Sequence, residues 1–139
     1  MRTVHALTHA EAMSMLHIVK DALEQKQQGA AVAVVDAHGE PIALLRTDGC
    51  RLSCIQVALN KAYTAAREQS ESKTLGEASK REGFPLTNFG ELRYVTWGGG
   101  VPIVAGDGQV VGAVGVSGLT EEEDTALAKL AIRTGIDAR

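Results

Sequence analysis

The sequence predicts an α+β fold, a five-stranded, mostly antiparallel sheet with packed helices, in the order α-β-β-α-(α)-β-β-β-α. Three observations predict it. Two tight-turn signals, Asp36-Ala37-His38-Gly39 and Gly106-Asp107-Gly108, each divide a pair of short aliphatic runs, and turns this short join antiparallel neighbours. Thr-x-x-Glu spacings at Thr8–Glu11, Thr74–Glu77 and Thr120–Glu123 mark helix starts, because the Thr hydroxyl and the Glu carboxylate can each accept a backbone N–H left open in the first turn. From Trp97 to Thr120 β-branched residues alternate with glycines, and glycine inside a strand marks close approach by another backbone, a helix or a ligand.

The elements follow in order. Thr8 caps a helix running to about Gln28, with Ala12, Leu16, Val19 and Leu23 on one stripe and Gly29 at the left-handed position that ends it. Ala31–Val35 is a buried strand, and Ile42–Arg46 returns from the hairpin. A second helix runs from about Arg51 to Gln69. Its stripe of Leu52, Ile55, Ala58, Leu59, Ala62 and Ala66 lets its axis lie close to a sheet. Thr74 opens a short helix that ends near Gly83. Phe84–Gly90 is a surface loop with buried aromatics, a candidate lid. Leu92–Trp97, Val101–Ala105 and Val110–Val116 are the third, fourth and fifth strands. Thr120 caps the last helix, where Glu121, Glu122, Glu123 and Asp124 oppose the positive end of the helix dipole.

With 139 residues the chain is expected to form one domain, residues 1–139, burying roughly two-thirds of its unfolded surface. Aromatics make up 4% of the chain, so the core must be built from small and branched aliphatics. The net charge of -3, with scattered Lys and Arg, argues against a nucleic-acid partner. No apolar run is long enough to span a bilayer, and Met1-Arg2-Thr3-Val4-His5 leads into no apolar signal segment, so a cytoplasmic location and no membrane partner are expected. Cys50 and Cys54 are not a C-x-x-C motif and read as ordinary thiols.

Several chemistries lack their motif. Gly112-x-x-Gly115-x-x-Gly118 lies within a strand and is not the dinucleotide spacing. Gly115-Val116-Ser117-Gly118-Leu119 has Leu119 where a nucleophile elbow needs glycine, so Ser117 reads as a hydrogen-bonding residue at a strand end. No two histidines stand at i, i+4, and His5, His9 and His38 are expected at the surface. Two features remain. Gly98-Gly99-Gly100 either turns the chain sharply before Pro102 or presents successive N–H groups as an anion nest. Arg46 and Asp48 end the second strand just before the helix that carries Lys61. With the glycine turn, the three form a candidate site for an anionic small molecule, or else a loop ion pair beside a solvated lysine.

Several blocks together resemble the GlcG/HbpS-like family, also described as haem-degrading or as domain of unknown function 336. They are Val34-Val35-Asp36 with Gly39, Arg46-Thr47-Asp48-Gly49, Asn60-Lys61-Ala62-Tyr63-Thr64-Ala65, Gly98-Gly99-Gly100-Val101-Pro102, Val111 to Gly118, and Thr120 with Glu123-Asp124. The resemblance covers roughly Leu7 to Ala131. It implies a profilin-like fold and a homo-oligomer, from dimer to octamer. It also implies binding of haem or a corrinoid, since the family includes the C-terminal domain of PduO-type cobalamin adenosyltransferases. One branch links a histidine of the first helix to haem iron, which places His17 as a metal ligand here. The function so implied is that of a small-molecule-binding accessory protein in a catabolic pathway. The alternatives are a lyase, isomerase or haem-degrading enzyme using Lys61 or Asp48 as acid or base, and a purely structural oligomer subunit. No catalytic constellation is legible.

Overall fold

A computed structural model describes residues 1–137 of the chain. Among them, four α-helices, one short 3-10 helix at Leu86–Phe89 and four strands follow one another. They are α1 (His9–Gln25), β1 (Ala31–Asp36), β2 (Pro41–Arg46), α2 (Ser53–Glu68), α3 (Ser72–Glu82), β3 (Gly100–Val104), β4 (Val110–Ser117) and α4 (Glu121–Asp137). The sheet is antiparallel throughout, in the order β2-β1-β4-β3.

The class is therefore α+β, as expected, but the sheet has four strands rather than five. Leu92–Trp97 is irregular chain. Its backbone groups pair with side chains of distant helices instead of a neighbouring strand. Val95 N–H donates to Thr64 Oγ1 (3.0 Å), and the Trp97 carbonyl accepts from Ser72 Oγ (2.8 Å). The segment also lies on α3, so a Cβ at Gly76 would strike the Thr96 carbonyl.

The local signals at the helix ends had mixed outcomes. Thr8 and Glu11 form the full reciprocal box. Thr120 Oγ1 accepts Glu123 N–H (3.1 Å) and donates to its carboxylate (3.0 Å). Thr74, by contrast, lies inside α3, which starts two residues earlier without a side-chain cap. Gly29 does not end α1; Gln27 takes the left-handed conformation (φ 52°). Gly29 is small for another reason, since a Cβ there would meet the backbone of Gly49 and Cys50. The aromatics of the Phe84–Gly90 loop are not fully buried: Phe84 is half-buried, and Phe89 is exposed and stacks on Tyr94 at 4.4 Å.

Three layers result. Val32, Val34, Val114 and Val116 face α1 and α4, which pack against each other. Ala31, Ala33, Val35 and Ala113 face α2, whose contact stripe is Ala58, Ala62, Ala65 and Ala66. This second interface is close enough that a Cβ at Gly115 would strike the Ala58 carbonyl and lie 2.7 Å from Ala62 N. Gly115 of β4 thus does what the strand pattern predicted: it lets a helix lie almost on the sheet backbone, whereas a Cβ at Gly112 would strike the Val35 carbonyl of β1.

Candidate functional site

A cleft opens where the C-terminal end of β4 meets the N-termini of α2 and α4. Its volume is about 480 Å³, and Arg51, Cys54, Val57, Lys61, Trp97, Ser117 and Leu119 border it together with Glu121 and Asp124. At its floor lies a buried ion pair. Lys61 Nζ stands 3.1 Å from Asp124 Oδ2 and donates to the Val116 carbonyl (3.0 Å); the two residues are 3% and 1% exposed. Asp124 Oδ1 accepts Leu119 N–H (3.1 Å). Burial pushes the Asp124 carboxyl above the ordinary aspartate range, against the opposing pull of the Lys61 charge and the hydrogen bonds it accepts. The pair ties α2, on one sheet face, to α4, on the other.

Gly98–Gly100 runs along the same corner, and Lys61 packs against it. Gly99 has φ 127° and leaves no room for a Cβ, which would lie 2.5 Å from the Val116 carbonyl and 2.9 Å from Lys61 Nζ. Of the two readings of this triplet, a sharp turn or an anion nest, the nest has two of its N–H groups taken by the chain itself. Gly98 N–H donates to Glu121 Oε1 and Gly100 N–H to Ser72 Oγ, both at 2.9 Å.

Lys61 and the glycine turn are thus brought together, but Arg46 and Asp48 are not placed with them. Both are exposed and border a separate groove of about 470 Å³ between α1 and β2, with Lys20, Glu24 and Gln28. Thr47, between them, is fixed by its N–H to the Ala30 carbonyl (2.9 Å) and by Ala30 N–H to its Oγ1 (3.0 Å). Gln28 Oε1 is buried without a hydrogen-bond partner. His17 is exposed on α1, one turn before Lys20, with no hydrogen bond or ion pair to another described residue. Among the described residues no three His, Cys, Asp or Glu side chains are grouped to hold a metal ion. Cys50 and Cys54 are free thiols, and burial pushes the Cys50 thiol up.

Sequence reasoning assigned no site role to Asp124, Ser117, Arg51 or Trp97. For Asp124 a signal existed. Lys61 follows Ala58 by three positions and Asp124 precedes Leu127 by three, so each charge sits on the buried stripe of its helix and requires a partner. Ser117 was read as a hydrogen-bonding residue, but its hydroxyl has no partner among the described residues.

An antiparallel sheet covered by helices on both faces, with this glycine-lined corner, describes a family of small α+β domains. The family model for the haem degrading protein HbpS-like family matches residues 7–133, and the chain belongs to that family. The protein GlcG of Escherichia coli K12 is 34% identical over 123 residues, covering 84% of this chain and 85% of GlcG. Among solved structures, the Klebsiella pneumoniae protein ORFY superposes with a TM-score of 0.88 at 28% identity, covering 98% of this chain and 94% of ORFY. The chain of a PduOC:heme complex superposes with a TM-score of 0.83 at 27% identity, covering 92% of this chain and 94% of that one. No helix among the described residues is long and apolar enough to cross a membrane.

Proposed function

We propose that the protein is a homo-oligomeric small-molecule-binding protein whose ligand is haem or a related tetrapyrrole such as a corrinoid, held on the outer face of α1. The observation that carries this reading is His17, an exposed imidazole with no hydrogen bond or ion pair to another described residue. A single imidazole does not hold a free metal ion. It would suffice to hold the iron of a haem, whose macrocycle would supply the remaining nitrogens. Met13, one turn before His17, is 43% exposed and offers an apolar surface for a ring edge. On the other side Lys20 and Arg46 line one groove, where their cations suit the propionates of haem. Arg46 has no ion pair among the described residues, whereas Lys20 is shared with Asp21 (2.9 Å). Asp48 lines the same groove. The likeness to the haem-bound PduOC chain supports the choice of ligand class.

Assembly is part of the proposal. The sheet ends in two unpartnered edges, β2 and β3, carrying exposed Leu44 and Val104. A second chain over α1 or along an edge would shield both the apolar residues and a bound macrocycle. The enzyme reading draws less from the geometry, because the Lys61 ammonium is tied to Asp124 and the Val116 carbonyl.

Titration of the purified protein with haemin tests this. A saturable, shifted Soret band is expected, altered in position and weakened in His17→Ala. Native mass spectrometry should show an oligomer retaining the macrocycle. A wild-type protein with no saturable Soret band, or a His17→Ala spectrum identical to it, overturns the assignment.

A further inference from the structure

The cleft at the end of β4 is separate from the α1 face, and its floor is rich in hydrogen-bond donors that the fold does not use. Ser117 is 5% exposed and borders the cleft, yet its hydroxyl has no partner among the described residues. Lys61 has three N–H groups, and two go to Val116 O and Asp124 Oδ2. The first turn of α2 has no side-chain cap; its Cys54 and Ile55 N–H groups bond the Arg51 and Leu52 carbonyls (3.0 and 3.2 Å), which leaves Ser53 N–H without a partner among the described residues. Arg51, at the rim, has no ion pair among them either. Against these donors stand two carboxylates, both engaged: Asp124 by Lys61 and Leu119 N–H, Glu121 by Gly98 N–H. Apolar Val57, Leu119 and the 58%-exposed Trp97 form the walls.

We infer that this cleft binds a small organic carboxylate. Its oxygens meet Ser117 Oγ, the third N–H of Lys61 and Ser53 N–H at the start of α2, with Arg51 balancing the charge, and its apolar body lies against Trp97. A cavity of about 480 Å³ lies within the usual range for small-molecule sites, roughly 300–1,000 Å³. The Ser117 hydroxyl, which reaches the recess, and the free Ser53 N–H are satisfied together by one acceptor-rich guest.

Trp97 is the single tryptophan of the chain, so its fluorescence reports the cleft directly. The test titrates benzoate at constant ionic strength, with benzamide as the uncharged counterpart, and repeats the titration by calorimetry. A saturable change is expected with benzoate, with affinity for benzamide lower by about tenfold or more, the loss of a charge-assisted hydrogen bond. Ser117→Ala should weaken benzoate binding by about fivefold or more at unchanged melting temperature, and the exposed Arg51→Gln should weaken it as well. Neither variant should alter the haemin Soret titration, which separates this cleft from the α1 face. No saturable signal by either method, equal affinity for benzamide, or undiminished binding in both variants overturns the inference.

Discussion

Lys61→Met removes the cation from the buried pair and leaves Asp124 and the Val116 carbonyl without it. At 3.1 Å the pair's attraction is about 5 kcal/mol for an effective dielectric near 20. Desolvation of both ions offsets much of that in the native protein, so the net value of the pair is small. Breaking it is different, because the burial penalty on Asp124 remains while its compensation is gone; such variants lose about 3–5 kcal/mol. An unfolding entropy of about 0.3 kcal/mol per kelvin for a chain of this length converts that to a melting temperature lower by about 10–17 °C at pH 7. The sign with pH follows from the carboxyl. A group whose folded pKa is raised contributes stability in full below its unfolded value and loses it as pH rises through the folded value. Lys61→Met raises the Asp124 pKa further, so the deficit should shrink as pH falls from 7 toward 5. The double variant Lys61→Met/Asp124→Leu should recover most of the loss, since an apolar pair of similar volume replaces the ions. Thermal melts by circular dichroism, with urea titrations at pH 5 and 7, measure all three. A loss below about 1 kcal/mol in Lys61→Met, or a deficit that grows on acidification, refutes the reasoning.

Three further outcomes are expected from stability measurements. Gly115→Ala should lose at least about 2 kcal/mol, because its Cβ meets the α2 backbone, whereas Gly106→Ala, with open space around it, should stay within about 0.5 kcal/mol. Urea denaturation of the two variants side by side checks the contrast, and equal effects would refute close helix–sheet packing. Ser72→Ala should cost about 2–3 kcal/mol, since one hydroxyl serves both Trp97 O and Gly100 N–H, and hydrogen exchange should rise at Gly100. Thr8→Ala should cost about 1 kcal/mol through loss of the reciprocal cap, read as a melting temperature lower by about 3–4 °C.

The sequence by itself determined what depends on near neighbours. Thr8 with Glu11 and Thr120 with Glu123 set helix starts because cap and acceptor lie three residues apart. The turns at Asp36–Gly39 and Gly106–Gly108 fixed antiparallel pairing because so few residues can only reverse the chain. Gly115 of β4 announced a close approach, and Ala58 and Ala62 of α2 were its other half. Where a local signal failed, a distant contact had overridden it. Thr64, Ser72 and Gly76 draw Leu92–Trp97 off the sheet although its pattern suits a strand. Arg46 and Lys61 were grouped through a short chain separation, but β2 and α2 point them into different recesses. The Lys61–Asp124 pair joins positions 63 residues apart. Each charge is legible as buried, but its partner is chosen only when the end of β4 brings two helices together, because no local rule specifies which of many carboxylates will reach that corner.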